Sequence, residues 1–187
     1  MKLALPIVAV LLLVVLWVSL RARQRHRSPA ARADPNAYIG LRNMALQGSR
    51  AKFGIPASLS SSEPYGVVMD WGVEKGTATV VALDDGTGSV YLSSGGGYIG
   101  GGQSHESIRT AAKKTVELAA SVLPLMHLTS SYPLPERGQV TFYVLTDAGV
   151  LNATASEKQM QTHESPFFQL GDSMQAIITE YSRMNHS

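Results

Sequence analysis

The pattern of apolar and polar residues divides the chain into one unbroken apolar stretch and a longer region of short alternating segments. Residues 3–20 contain no charged side chain. A helix of this length rises about 27 Å, close to the hydrocarbon thickness of a bilayer. The pattern predicts a single transmembrane helix within an anchor over residues 1–20. A cleaved signal peptide is the alternative, but its apolar region is usually shorter, about 7–15 residues, and is followed by small residues rather than arginines.

The residues after the apolar stretch are basic and predict an orientation. Arg21, Arg23, Arg25 and Arg27 follow it directly, within a predicted juxtamembrane linker over residues 21–35. Basic residues beside a membrane span stay on the cytoplasmic side. We therefore expect the N-terminus outside and the C-terminal domain in the cytoplasm, with an extracytoplasmic domain as the alternative.

The rest of the chain, residues 36–187, alternates between strand-type and helix-type patterns. Alternating residues such as Val67, Met69 and Trp71 predict a strand, and Asp70 lies on its opposite, more polar face. Predicted strands cover residues 65–71, 77–83, 89–93, 139–145 and 150–155. Predicted helices cover residues 35–51, residues 104–123 with Ser104 as N-cap, and a final segment capped by Asp172 or Ser173. Short turns make successive strands antiparallel neighbours.

This order of helix, three strands, helix, two strands and helix predicts an α+β domain. We expect a five-stranded antiparallel sheet with its helices packed on one face. In general layout the predicted domain is similar to small sheet-and-helix scaffolds of the profilin, longin and roadblock kind. That likeness implies a scaffold that dimerises or recruits partners.

The charge and the cysteine content of the chain exclude several classes of function and site. Residues 1–32 hold six of the 16 basic side chains and no acidic one, so the remainder carries 10 basic and 14 acidic side chains, a formal charge of −4. Nucleic-acid binding needs a basic surface, so no nucleic-acid partner is expected. The chain has no cysteine, which excludes disulfides and thiolate metal sites.

A glycine-rich loop, residues 93–102, connects the third predicted strand to the long helix. Glycines allow close backbone approach and a helix N-terminus attracts anions, so this loop is the candidate ligand site. Its candidate binding residues are Gly95, Gly96, Gly97, Gly100, Gly101, Gly102, Ser104 and His105. The segment matches G-x-G-x-x-G, but a dinucleotide site needs a parallel β-α-β unit that this antiparallel order lacks.

Candidates for catalysis and metal binding are weak. Ser104 and His105 are adjacent on a helix start and point in different directions, so they form no relay. His127 and His163 lack metal-ligand spacing. No catalytic residue, metal or cofactor is predicted. The predicted function is a membrane-anchored, non-enzymatic module that binds a protein partner, a second copy or a small ligand. The alternative is a sensor or enzyme that binds an anionic small molecule at the glycine-rich loop.

Overall fold

A computed structural model describes residues 35–184, which form an α+β unit around one antiparallel sheet. The sheet has seven strands in the order β4-β3-β2-β1-β6-β7-β5. The strands are β1 Pro64–Val73, β2 Gly76–Leu83, β3 Gly88–Leu92, β4 Gly97–Tyr98, β5 His127–Thr129, β6 Gln139–Thr146 and β7 Gly149–Ser156. The α-helices are α1 Pro35–Leu46, α2 Glu106–Val122, α3 Glu157–Met160 and α4 Phe168–Met184.

One face of the sheet, the two-helix face, is covered by α2 and α4. Its core joins Val67 and Phe142 from the central strands to Ile108 of α2 and Ile177 of α4, and none of these four side chains is exposed. Both helices carry apolar residues at three- and four-residue spacing, which gives each one a continuous stripe to bury. Burial of apolar surface therefore holds this face together.

The opposite face, the one-helix face, is covered by the shorter α1. Tyr38 and Leu46 of α1 pack against Val68, Tyr143 and Leu145 of the central strands. The loop between β5 and β6 contacts this face as well, because the carbonyl oxygen of Pro133 accepts a hydrogen bond of 3.0 Å from the Tyr143 hydroxyl. Strands β1 and β6 are consequently buried on both sides.

The predicted fold class is wrong in its sheet and in the placement of its helices. The sheet has seven strands rather than five, because β4 and β5 add pairs of only two and three residues at its two edges. The helices cover both faces rather than one.

The predicted transmembrane helix and signal anchor are likewise not among the elements of the observed fold. Among residues 35–184, no helix is both long enough and apolar enough to cross a bilayer. The predicted span over residues 3–20 and most of the basic linker lie outside the described residues. The predicted orientation depends on the same residues and stays a prediction.

Several helix ends also differ from their predicted positions. Helix α1 ends at Leu46, and α4 begins at Phe168, earlier than the predicted caps Asp172 and Ser173. Helix α2 begins at Glu106 with His105 as its N-cap. The reason is a 3-10 turn over Gly101–Gln103, which uses the residues just before Ser104 and delays the α-helix.

Candidate functional site

An open apolar groove lies on the one-helix face, between α1 and the glycine-rich loop. Its volume is about 190 Å³. The lining residues are Met44, Ala45, Phe53, Val81, Leu83, Asp85, Thr87, Ser89, Tyr91 and Ile99. Ile99 is 66% exposed and Met44 is 47% exposed, although both are large apolar side chains. We call this feature the α1–loop groove.

One acidic side chain, Asp85, lines the α1–loop groove. Asp84 and Asp85 are exposed in the turn between β2 and β3. The Asp85 carboxylate accepts hydrogen bonds from the backbone N–H and the hydroxyl of Thr87, at 2.7 and 2.9 Å, so its position is fixed. A ligand of this groove would therefore meet an apolar floor beside the carboxylate of Asp85.

A buried ion pair fixes α1, which forms one wall of the groove. Arg42 donates to Asp70 Oδ2 from Nε at 2.8 Å and from Nη2 at 2.6 Å, and the two side chains are 3% and 0% exposed. The Thr79 hydroxyl donates to Asp70 Oδ1 at 2.5 Å, and the Tyr38 hydroxyl lies 2.9 Å from Thr79 Oγ1. Four side chains thus connect α1 to β1 and β2, and we call them the α1 clamp.

The surroundings of the α1 clamp raise the pKa values of Arg42 and of the nearby Tyr143. Burial lowers the pKa of Arg42, but the hydrogen bond and negative charge of Asp70 outweigh it, so the net change is a raised pKa. Burial, together with the charge of Asp70, raises the pKa of the nearby Tyr143 to about 12. The guanidinium is therefore charged and the phenol neutral at physiological pH. Asp70, which the sequence pattern placed on the more polar face of its strand, is enclosed by partners and has no path to a substrate.

The glycine-rich loop directs several of its backbone amides into the protein. Gly95 donates to the Leu92 carbonyl at 2.9 Å, Gly100 to Ser89 Oγ at 3.0 Å, and Gly101 to the Tyr181 hydroxyl at 2.8 Å. These amides are occupied, so they do not form an open cradle for an anion.

The glycines serve tight turns and close packing. Gly95, Gly96, Gly97 and Gly100 have positive φ angles, which other residues rarely adopt. Gly101 and Gly102 leave no room for a side chain. A Cβ at Gly101 would lie 2.2 Å from the Tyr181 hydroxyl oxygen, and one at Gly102 would lie 1.8 Å from the Gly86 carbonyl oxygen.

The start of α2 is also less favourable to anions than the sequence indicated. His105 occupies the N-cap position without a side-chain hydrogen bond to the helix. The Glu106 carboxylate lies at the helix start and pairs with Arg109 at 2.7 Å. Arg109 also donates to the Gly102 carbonyl at 3.0 Å. This carboxylate already occupies the field of the helix N-terminus.

The role in binding of the eight residues predicted at the glycine-rich loop and the helix start stays a prediction. Within residues 35–184, no group of three or more histidine, aspartate or glutamate side chains is placed to hold a metal ion. Sequence reasoning did not single out Met44 and Ile99 as site residues. Ile99 had a signal that could have been used, since it is an isolated large apolar residue inside a run of glycines.

A second, smaller cavity of about 110 Å³ lies on the two-helix face, where Trp71 and Met69 meet Glu157 and Gln175. The Trp71 Nε1 atom is buried and has no hydrogen-bond partner among the residues that the structure describes. A buried donor without a partner costs roughly 1–3 kcal/mol. Trp71 thus contributes packing at the expense of an unsatisfied N–H.

Comparison with protein-family models, with curated proteins and with solved structures found no match for this chain.

Proposed function

We propose that the domain is a non-enzymatic interaction module that binds an apolar side chain of a partner protein in the α1–loop groove. The observation that carries this proposal is the groove itself, with the exposed Ile99 and Met44 beside it. A contiguous apolar surface that is open to solvent often marks a site that a partner covers. Aliphatic and aromatic anchors that fill such pockets supply much of the binding energy at protein interfaces.

The walls of the groove favour binding without rearrangement. The α1 clamp fixes the wall that carries Met44, and the Gly101–Tyr181 hydrogen bond holds the loop that carries Ile99. A preformed pocket loses little conformational entropy when it is filled. This rigidity supports a recognition site.

The rim indicates the chemistry of the partner. Asp85 lines the groove beside its apolar floor, and residues 35–184 hold 13 acidic and 10 basic side chains. A partner segment with an apolar side chain next to a lysine or arginine satisfies both parts of the site. The occupied amides of Gly95, Gly100 and Gly101 favour this proposal over an anionic ligand at the glycine-rich loop.

Site-specific photocrosslinking of the full-length chain in the cells that produce it tests the proposal. A photoreactive phenylalanine analogue replaces Ile99, and the control replaces Leu125, which is 50% exposed and lies just before β5 at the opposite edge of the sheet. We expect a protein adduct from position 99 that is several-fold stronger than any from position 125.

The same experiment with Met44→Asp examines the groove rather than the loop. Met44 is half exposed, so this change should leave the melting temperature within a few degrees of the parent value. It places a charge in the apolar wall and should reduce the adduct from position 99 at least fivefold. Equal adducts from positions 99 and 125, or an adduct insensitive to Met44→Asp, would overturn the proposed function.

A further inference from the structure

We infer that the cavity beside Trp71, on the two-helix face, binds a small amino alcohol, a free compound with one ammonium group and one hydroxyl oxygen. This cavity of about 110 Å³ is lined by residues of β1, β6, α3 and α4, and we call it the Trp71 cavity. It lies on the other side of the sheet from the α1–loop groove, so the inference is independent of the proposed function. Small-molecule sites are typically concave, with an apolar lining and a few polar groups.

Glu157 provides the charge that selects a cation. It is partly buried, and it is the only charged residue among those of the described chain that line the cavity. Its carboxylate has no hydrogen bond or ion pair with another residue of 35–184. Carboxylates accept charge-assisted hydrogen bonds from ammonium groups, and these are stronger than hydrogen bonds between neutral groups. Glu157 therefore favours an ammonium compound over a neutral or anionic one.

Trp71 adds the requirement for an oxygen atom. It lines the cavity, and its buried Nε1 atom has no hydrogen-bond partner within the described residues. Buried indole N–H groups usually have a partner. In the inferred complex, the hydroxyl oxygen of the ligand accepts from this N–H while the ammonium group donates to Glu157. One ligand thus satisfies both protein groups.

The remaining walls limit the ligand to a few atoms. Buried Met69, Val140 and Met160 give the cavity an apolar floor that suits methylene groups. An apolar cavity of about 150 Å³ holds benzene, so a cavity of about 110 Å³ accommodates about four or five non-hydrogen atoms. Ethanolamine is the simplest compound of this size with both polar groups. Exposed Gln161 and Gln175 also line the cavity, which gives a ligand access from solvent.

Magnetic resonance of the Trp71 indole N–H tests the site directly. The full-length chain contains two tryptophans, so isotope-labelled tryptophan gives two indole N–H signals, and Trp71→Phe assigns them. Ethanolamine hydrochloride is added at neutral pH and constant ionic strength. We expect the Trp71 signal to shift and to saturate with a Kd of about 1 mM, since so small a ligand makes few contacts. A Trp71 signal without a saturable shift would overturn the inference.

Two analogues of ethanolamine separate the contributions of its polar groups. Ethylene glycol replaces the ammonium group with a hydroxyl and should bind roughly tenfold more weakly or worse, because it lacks the charge that pairs with Glu157. Propylammonium replaces the hydroxyl with a methyl group and should bind at least roughly threefold more weakly, because it leaves the Trp71 N–H unpaired. An affinity equal to that of ethanolamine would reject the Glu157 contact in the first case and the Trp71 contact in the second.

Phosphoethanolamine represents ethanolamine as a lipid head group carries it. Its phosphate brings negative charge towards Glu157, so we expect it to bind more weakly than ethanolamine. Equal or tighter binding would reject the free amino alcohol in favour of a lipid head group.

Two glutamate variants test the charge on the protein side. Glu157→Gln keeps the size of the side chain, removes its charge and should weaken ethanolamine binding at least fivefold. The control Glu117→Gln makes the same change on the exposed side of α2, outside the cavity, and should leave the Kd unchanged. Both variants should melt within a few degrees of the parent chain, which separates lost binding from lost folding. Equal affinities of the two variants for ethanolamine would overturn the inference.

Discussion

The two faces of the sheet are held by different physics. On the two-helix face, α2 and α4 bury continuous apolar stripes, and their one direct side-chain hydrogen bond in the described core is the neutral pair Thr115–Ser173 at 2.7 Å. On the one-helix face, α1 is fixed by the buried ion pair Arg42–Asp70. Apolar burial is non-directional, whereas a bonded ion pair fixes the distance and angle between its elements.

This difference explains why the α1–loop groove lies on the one-helix face. Helix α1 has 12 residues, against 17 in each of α2 and α4, and its apolar pattern is weaker. The α1 clamp can hold a short helix without the broad contact that would cover the neighbouring strands. The floor beside β3 therefore stays open between α1 and Ile99.

The substitution expected to reduce the stability of the one-helix face most is Asp70→Ala. The substitution leaves the Arg42 guanidinium buried without its counter-charge, which typically costs about 3–5 kcal/mol. We expect the free energy of unfolding, measured by urea denaturation, to fall by about that amount. A loss below about 1 kcal/mol would show that α1 does not depend on the pair.

Two further variants provide comparisons for the stability loss of Asp70→Ala. The double variant Arg42→Met, Asp70→Leu removes both charges and should be less destabilising than Asp70→Ala alone, because no isolated charge stays buried. On the other face, Ser173→Ala removes one neutral hydrogen bond and should cost only about 1 kcal/mol. Equal losses for Asp70→Ala and Ser173→Ala would erase the distinction between the faces.

A smaller loss of folding stability is expected in alkaline solution. The pKa of Tyr143 is raised from 10.0 to about 12 in the folded chain. Below pH about 10 the phenol is protonated in both the folded and unfolded chains, so it adds no pH dependence. Between pH about 10 and 12 the unfolded chain releases this proton first, so Tyr143 lowers the free energy of unfolding by up to about 3 kcal/mol as pH rises.

Tyr143→Phe isolates that contribution from those of the other buried tyrosines. The variant also loses the hydrogen bond to the Pro133 carbonyl, which costs about 1 kcal/mol at neutral pH. Above pH 10 its free energy of unfolding should decline less steeply than that of the parent chain. Parallel pH profiles for the two proteins would contradict the raised pKa.

The smallest expected change is an increase in the free energy of unfolding. Gly40 lies in the interior of α1 on its exposed side, and a Cβ there would meet no atom within 4 Å. Gly40→Ala should therefore stabilise the protein by about 0.5–1 kcal/mol, because alanine favours a helix and loses less backbone entropy.

Gly101→Ala serves as the contrasting glycine substitution. Its Cβ would collide with the Tyr181 hydroxyl, so this variant should be destabilised and should melt at a lower temperature than the parent. A melting temperature that changes in the same direction for both alanine variants would contradict the open space beside Gly40 and the close contact at Gly101.

The sequence carried enough information for the long elements of the fold and too little for the short ones. Strands β1, β2, β3, β6 and β7 follow apolar patterns, and β2–β3 has an aspartate–glycine turn typical of hairpins. Strands β4 and β5 are too short for an alternating pattern to be read. They form because neighbouring strands offer free edges, which is information that lies elsewhere in the chain.

The placement of helices on both faces had a signal that the prediction did not use. Residues Val140 to Leu145 are mostly apolar on both sides of the strand, as are Val67, Val68 and Met69. A strand with two apolar faces is buried on both. The Arg42–Asp70 pair had no such signal, because it joins residues 28 positions apart through the packing of α1. The groove depends on the same packing and could not be located from sequence.

The hydroxyl of Tyr181 connects two distant parts of the chain. It accepts from the Gly101 amide and donates to the Gly88 carbonyl at 2.8 Å, and its ring stacks on Tyr98 at 4.5 Å between centroids. The final turns of α4 therefore hold the glycine-rich loop, some 80 residues earlier in the chain, in its position. Loss of that single oxygen would remove both hydrogen bonds and free the loop that carries Ile99 from α4.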